Sequence, residues 1–174
     1  MYAFLLALVA LLATSCRPVV RADGGEGLLP VGAVAPDVSG HTLDGKRVDL
    51  ATLRGKPAVV YFYPKDGTPG CTKEACAFRD VFEQYSARGV TIFGVSGDSE
   101  ASHKEFGTEH ELPFPLVSDG DGSVAQSYGV STTLGMASRV TFLIGKDGRV
   151  ARVWPDVDPG VHAAEVLAEV DAKR

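Results

Sequence analysis

Residues 58–76 read AVVYFYPKDGTPGCTKEAC and join a β-rich apolar run, a Pro/Gly-rich loop and the start of a helix. The continuous run AVVYFY (58–63) is typical of a strand buried on both faces of a sheet. Thr68 can cap the following helix, and Pro69 fits its first position, where a missing N–H costs nothing. In α/β folds, ligands and catalytic groups gather where a strand ends and a helix begins. The loop and the first turn of this helix are therefore the candidate site.

The rest of the chain alternates between short apolar strands and helical segments. Strands are predicted at 90–96, 114–118, 139–145 and 149–154, and helices at 69–88, 99–110, 123–128 and 159–172. Turn signals at Asp44-Gly45 and Lys146-Asp147-Gly148 predict an N-terminal hairpin over 38–50 and a second hairpin near the C-terminus. This order predicts an α/β fold with a central mixed sheet flanked by helices.

Composition argues against two classes of protein, those that bind nucleic acid and those that depend on a disulfide scaffold. The chain has 174 residues and a formal net charge of −5, with no cluster of Lys and Arg, which argues against nucleic acid as a partner. Three cysteines are too few for a disulfide scaffold, so the fold must depend on a hydrophobic core.

The N-terminus carries a targeting signal. The apolar run YAFLLALVALLA (2–13) is shorter than the roughly 20 residues that span a bilayer, and its length suits an export signal. Ala13-Thr14-Ser15-Cys16 resembles a bacterial lipobox, in which the cysteine is lipidated and becomes the mature N-terminus. Ordinary cleavage, after Ser15 or after Ala22, is the alternative.

These observations divide the chain into a signal segment (1–15), a Gly- and Pro-containing tether (16–33) and one domain (34–174). We expect the protein in the bacterial cell envelope, with Cys16 as its only attachment to a membrane.

Helical geometry separates the two remaining cysteines. Cys71 lies in the first turn, where free N–H groups and the helix dipole favour the negative charge of a reactive thiolate. The apolar stripe of the helix is formed by Phe78, Val81, Phe82 and Tyr85. Cys71 projects within about 20° of Phe78, towards the core, whereas Cys76 projects about 160° away, on the outer face.

Position alone leaves other readings of the cysteines open. Both could be small buried hydrophobic residues. A zinc site would need four ligands, and His41, His103, His110 and His162 have no ligand-like spacing near the cysteines, so we expect surface or capping roles for them. A Cys-His protease is formally possible, although no His or Asn can be assigned to it.

A resemblance to a known family favours one interpretation of the two cysteines. The pattern Pro64-x3-Thr68-x2-Cys71 is similar to the active-site motif of the peroxiredoxins, and YFYPKDGTPGCTKEAC (61–76) closely resembles their bacterioferritin-comigratory, or Q-type, branch. The resemblance continues through GVSGDS (94–99), PFPLVSD (113–119), SRVTFLI (138–144) and KDGRVARVW (146–154), so that it covers about residues 31–172.

The resemblance implies a thioredoxin-like fold and a thiol-dependent peroxidase that reduces hydrogen peroxide and organic hydroperoxides. Cys71 would be the peroxidatic cysteine and Cys76 the resolving cysteine, and a thioredoxin-like protein would reduce their intramolecular disulfide. No metal or organic cofactor is needed, and the branch favours a monomer.

It also implies roles for the residues around Cys71. Thr68 would position the peroxide, Arg139 would stabilise negative charge, and Pro64 would shape the pocket. The Gly70 N–H would add to an oxyanion cradle. We expect Glu74, three residues after Cys71, to hold Arg139, and a solvated surface carboxylate is the alternative.

Two other functions are weighed against this one. Thioredoxin-like disulfide oxidoreductases use C-x-x-C, whereas four residues separate Cys71 and Cys76. Envelope copper-binding assembly proteins of similar fold use C-x3-C with a distant His, which this spacing also fails to match.

Overall fold

The computed structural model describes residues 18–172. The predicted signal segment and Cys16 lie outside these residues. Within them, no helix is long and apolar enough to cross a membrane.

Seven strands of the described chain form one mixed sheet, in the order β2-β1-β5-β4-β3-β8-β9. Their bounds are β1 Ser39–His41, β2 Arg47–Asp49, β3 Ala58–Phe62, β4 Thr91–Ser96, β5 Leu116–Ser118, β8 Val140–Ile144 and β9 Val150–Trp154, and β6 Thr132–Thr133 and β7 Met136–Ala137 form a separate hairpin. β3 pairs in parallel with β4 and antiparallel with β8. The predicted α/β fold with a mixed sheet and an N-terminal hairpin is confirmed.

Helices cover both faces of this sheet. They are α1 Pro69–Asp80, α2 Phe82–Ala87, α3 Glu100–Glu109, α4 Ser123–Tyr128 and α5 His162–Ala172. On β3, Val59 and Tyr61 pack in a cluster with residues of α1, α2 and α5. Val60 and Phe62 point to the opposite face and pack with Tyr128 of α4. Every residue of β3 is buried, which explains why this strand is continuously apolar.

The prediction of one helix over 69–88 is wrong, because the chain leaves helical geometry at Val81 (φ −112°, ψ 12°) and starts α2 at Phe82. Contacts outside the helix account for the break. Val81 and Phe82 both pack against the apolar cluster around Val59 and Tyr61. The Tyr85 hydroxyl donates a hydrogen bond of 2.6 Å to the Ala163 carbonyl of α5. Tertiary packing therefore overrides the helical period at this point.

Part of the expected tether makes defined contacts with the domain. Leu29 is buried, and its N–H donates to the Tyr128 carbonyl at 2.9 Å. The Gly32 N–H donates to the Val150 carbonyl at 2.8 Å. Where the tether ends and the domain begins remains a prediction.

Substitutions at the two glycines that flank α4 can test how the segment before the domain, residues 27–29, packs against this helix. Gly122 and Gly129 have nearly the same left-handed φ, 71° and 70°. A Cβ at Gly122 would meet open space, whereas one at Gly129 would lie 1.9 Å from the Gly27 carbonyl oxygen. We expect Gly122→Ala to lose roughly 1–2 kcal/mol of unfolding free energy from backbone strain alone. Gly129→Ala should lose more and should expose the chain to trypsin at Arg21.

Chemical denaturation and limited proteolysis measure these two effects. Equal stability and equal cleavage of the two variants would show that residues 27–29 do not pack against α4.

Candidate active site

Cys71 lies in the first turn of α1 and is 2% exposed, on the inner side as predicted. The first helical hydrogen bond at this end runs from the Thr72 N–H to the Thr68 carbonyl at 2.9 Å. The N–H groups of Gly70 and Cys71 precede it and have no carbonyl one turn back to bind. They are therefore available to an anion beside the sulfur.

Thr68 occupies the N-cap position with extended backbone angles, but its side chain makes no capping hydrogen bond to the described helix. The Thr68 hydroxyl instead donates to the Lys65 carbonyl at 3.1 Å, inside the loop. Pro69 is at the start of the helix, and Pro64 is half-buried at the other end of the loop. The loop is thus closed on itself immediately before Cys71.

Arg139 reaches this site from the far end of the sequence. Its Nη2 lies 3.2 Å from the Cys71 Sγ, and its Nη1 donates to Glu74 Oε2. The register between β3 and β8 explains the proximity, because Phe62 pairs with Val140 and so brings Arg139 beside the loop that follows β3. A Cβ at Gly70 would lie 3.4 Å from the Arg139 Nη2, in van der Waals contact, so the guanidinium lies directly against this turn of the backbone.

Glu74 is fully buried, so the alternative of a solvated surface carboxylate does not hold. Burial raises the pKa of Glu74 to about 7, although the charge and hydrogen bond of Arg139 act in the opposite direction. Burial would lower the pKa of Arg139, but Glu74 and Cys71 outweigh this and raise it above its ordinary value. Glu74 Oε1 has no hydrogen-bond partner among the described residues.

Cys76 lies on the same continuous helix, five residues after Cys71, and is half-buried on the outer side. Both cysteines are free thiols in this structure. No group of three or more His, Cys, Asp or Glu side chains in residues 18–172 is arranged to hold a metal ion.

The expectation that the histidines are surface or capping groups is wrong for His103 and His162, which are 5% and 0% exposed. His162 Nε2 lies 2.8 Å from Thr141 Oγ1, and its ring packs edge-on against Phe78 and Trp154. Burial lowers the pKa of His162.

Asp66 lies in the loop before Cys71 and has a buried side chain that no sequence motif indicates. Burial would raise the pKa of Asp66, but hydrogen bonds from His103, Tyr63 and Ser102 outweigh it and lower the pKa below its ordinary value. The sequence shows an Asp-Gly pair in a Pro/Gly-rich loop, which indicates only a turn. Two of its partners, Ser102 and His103, come from a distant segment, so local spacing could not reveal them.

The family model described as the AhpC/TSA family matches residues 31–153. The chain belongs to the AhpC/TSA family. It is 43% identical over 149 residues to a putative peroxiredoxin, Bcp, of Coxiella burnetii, a match that covers 82% of this chain and 99% of that protein. It is 42% identical over 144 residues to the chloroplastic peroxiredoxin Q of Oryza sativa subsp. japonica, covering 81% of this chain and 66% of that longer protein.

Solved structures give the same result. Peroxidoxin BcpB of Mycobacterium tuberculosis has a TM-score of 0.76 with 33% identity, over 84% of this chain and 99% of that one. A mutant of peroxiredoxin Q from Xanthomonas campestris has a TM-score of 0.75 with 34% identity, over 85% of this chain and 99% of that one. The resemblance to Q-type peroxiredoxins and the thioredoxin-like fold are therefore confirmed, and this peroxiredoxin is a thiol-dependent peroxidase.

The position of Arg139 predicts a large effect on the peroxide step. Arg139→Met removes a preorganised cation at the sulfur, and we expect Cys71 oxidation to slow by roughly 10²–10³-fold. Arg139→Lys should restore little, because a point charge cannot contact the sulfur and Glu74 as the planar guanidinium does. Arg88→Met is the matched control, since it removes an arginine that pairs with a different carboxylate, Asp171 of α5. Competition kinetics for peroxide measure the rates, and a change below threefold in Arg139→Met would contradict this role.

The burial of Glu74 predicts a pH dependence of stability. The folded state holds the Glu74 proton up to about pH 7, whereas the ordinary pKa of a glutamate is 4.5, so ionisation opposes folding between these values. The free energy of unfolding of the reduced protein should fall as pH rises through this window, by at most about 3.5 kcal/mol at about 1.4 kcal/mol per pKa unit. Glu74→Gln should remove this part of the slope, and exposed Glu83→Gln should retain it. Denaturation between pH 4 and 8 tests this, and parallel curves for wild type and Glu74→Gln would exclude it.

Proposed function

We propose that Cys71 reduces hydrogen peroxide and organic hydroperoxides and that Cys76 resolves the oxidised sulfur. The observation that carries the proposal is the contact of the Arg139 guanidinium with the Cys71 sulfur at a helix N-terminus. A buried thiol with a fixed cation and free N–H groups beside it is suited to a thiolate and to negative charge developing on peroxide oxygens. A thiol that served only as core packing would not need this cation.

The reaction proceeds in three balanced steps. The Cys71 thiolate attacks one peroxide oxygen, an S–O bond forms, the O–O bond breaks, and the second oxygen leaves as an alcohol or water after taking a proton. The Cys76 thiolate then attacks the sulfenic sulfur, an S–S bond forms, the S–O bond breaks, and the oxygen leaves as hydroxide, which takes a proton from solvent to become water. A dithiol protein of the thioredoxin type reduces the disulfide and is itself oxidised.

The second step requires α1 to open. Five residues along an α-helix separate the two Cα atoms by roughly 8.6 Å and turn the side chains apart by about 140°. A disulfide requires a Cα separation of about 4.4–6.8 Å with the side chains facing each other. Residues near 70–77 must therefore lose helical hydrogen bonds before Cys71 and Cys76 can join, and Gly70, a weak helix former, facilitates the opening.

Each other group near Cys71 has a role in the first step. The Thr68 hydroxyl donates to or accepts from the peroxide, Arg139 stabilises the thiolate and the leaving oxygen, and Glu74 orients Arg139. Pro64 limits access of water, and the Gly70 N–H adds a donor. None of these roles needs a metal or an organic cofactor.

The proposal extends to the compartment of the enzyme. The apolar leader and Cys16 support export to the bacterial cell envelope, with lipid on Cys16 as the anchor facing the periplasm. The enzyme then acts as a monomer tethered to the membrane, reduced by a thioredoxin-like protein of the same compartment.

The division of roles between the cysteines gives the test of function. Cys71→Ser should abolish turnover, because it removes the thiol that contacts Arg139. Cys76→Ser should still consume one peroxide per protein and accumulate a sulfenic acid that dimedone traps. Retention of a near-normal peroxidase rate by Cys71→Ser would overturn the assignment.

Mass spectrometry of the native protein after one equivalent of peroxide reports the Cys71–Cys76 bond and the modification state of Cys16 in one measurement. A mature protein that still begins at Met1 would exclude the envelope location.

A further inference from the structure

A buried polar cluster links the active-site loop to α3. The Asp66 side chain is 6% exposed, and its carboxylate accepts three hydrogen bonds. Tyr63, at the end of β3, donates to Oδ1 at 2.7 Å. Ser102 donates to Oδ2 at 2.7 Å, and His103 Nδ1 lies 2.9 Å from the same oxygen. Three donors at one buried carboxyl stabilise its ionised form.

The opposite side of the His103 ring also faces an acceptor. Its Nε2 lies 3.1 Å from the Val117 carbonyl of β5. On the other side of the ring, Nδ1 lies 2.9 Å from Asp66 Oδ2 and 3.4 Å from the Tyr63 hydroxyl, so the ring contacts the loop through one nitrogen and β5 through the other. Asp66 and His103 thus form a buried pair between the loop and α3.

The backbone of the loop is tied to the same region. The Asp66 N–H donates to Asp98 Oδ2 at 2.8 Å, and Ser96 Oγ donates to that oxygen at 2.7 Å. Ser96 ends β4, and Asp98 lies immediately before α3. Among the described residues, the hydrogen-bond partners of Asp66 therefore lie in β3, in α3 or at its approach, and not in α1.

We propose that Asp66 and His103 form a positioning pair that holds the loop 64–68 in place while α1 unwinds and refolds. The proposal rests on the proposed disulfide cycle, in which the residues after Thr68 lose their helical structure. The pair fixes the upstream limit of that opening, so that Thr68 and Pro64 keep their positions and Cys71 returns to a formed site. Neither Asp66 nor His103 touches the peroxide.

The pair is expected to affect one chemical step and not the other. Cys71 oxidation needs the loop residues at fixed distances from the sulfur, and a displacement of the loop by about 1 Å can reduce the oxidation rate by about 10²-fold. Disulfide closure needs only the unwound segment that carries Cys71 and Cys76. A loss of general stability would not separate these two steps.

The experiment is a double-mutant cycle with Asp66→Asn, His103→Gln and the double variant. His41→Gln is the matched control, since His41 faces the Glu100 carboxylate at 3.7 Å on the exposed surface. Trp154, the one tryptophan of the chain, packs against His162 in the cluster that contains Phe78, and its fluorescence can follow both steps in stopped flow. We expect each single variant to slow Cys71 oxidation by roughly 10–100-fold and to change disulfide closure by less than threefold.

The double variant should be faster than the product of the two single effects predicts, because each single variant already breaks the same contact. The control should oxidise at the wild-type rate. Folded single variants that oxidise within threefold of wild type would overturn the proposal, and so would equal slowing of both steps.

One measurement on the wild-type protein decides the question even if the single variants do not fold. Hydrogen exchange should show the Asp66 amide, which donates to Asp98, equally protected in the reduced and disulfide forms, while amides 72–78 lose protection in the disulfide form. Loss of protection at the Asp66 amide together with α1 would refute the pair.

Failure of the proposed function is a separate result. A wild-type protein that consumes no peroxide would refute the peroxidase assignment, whereas protection of the Asp66 amide still tests the pair after the disulfide is formed with diamide.

Discussion

The contact of Arg139 with both the Cys71 sulfur and the Glu74 carboxylate is the interaction on which the site depends. It joins the first turns of α1 to the start of β8, and the pairing of β8 with β3 makes it possible. Ion pairs that are taken out of water gain little net stability, because desolvation offsets their attraction. The pair is therefore better explained by the fixed position that it gives to a cation than by its contribution to folding.

The surroundings of Cys71 divide into a rigid part and a part that can open. β3 is buried on both faces, and the loop after it is held by Asp66 and Asp98. α1, in contrast, breaks at Val81 after three turns and begins with Pro69 and Gly70. Local opening draws on segments with fewer stabilising contacts, so the fold places its reactive cysteine at the boundary between the two parts.

The features that local sequence predicts are those with a local physical cause. The apolar run of β3, the N-terminal position of Cys71 and its orientation towards Phe78 follow from strand burial and helical period, and the structure agrees. The role of Arg139, which is 68 residues from Cys71, was indicated by the family resemblance and not by the periodicity of apolar residues.

What could not be predicted depends on contacts between distant segments. The break at Val81 follows from packing in the apolar cluster, and nothing in the helical stripe signals it. His103 and His162 are buried because Asp66, Val117 and Thr141 supply partners from other elements. A histidine in an isolated sequence has no feature that distinguishes this environment from an exposed one.

Glu74 connects the two parts of the site energetically. It lies between Cys71 and Cys76, so any unwinding that lets these cysteines meet must also release Glu74 from its buried position. One of its oxygens has no partner among the described residues, and burial raises its pKa to about 7. Above that pH the folded helix therefore holds a buried carboxylate whose desolvation cost Arg139 offsets only in part, and the unwound segment recovers the remainder in water. The same side chain that fixes Arg139 for the peroxide step thus lowers the free energy needed to open α1 for the disulfide step.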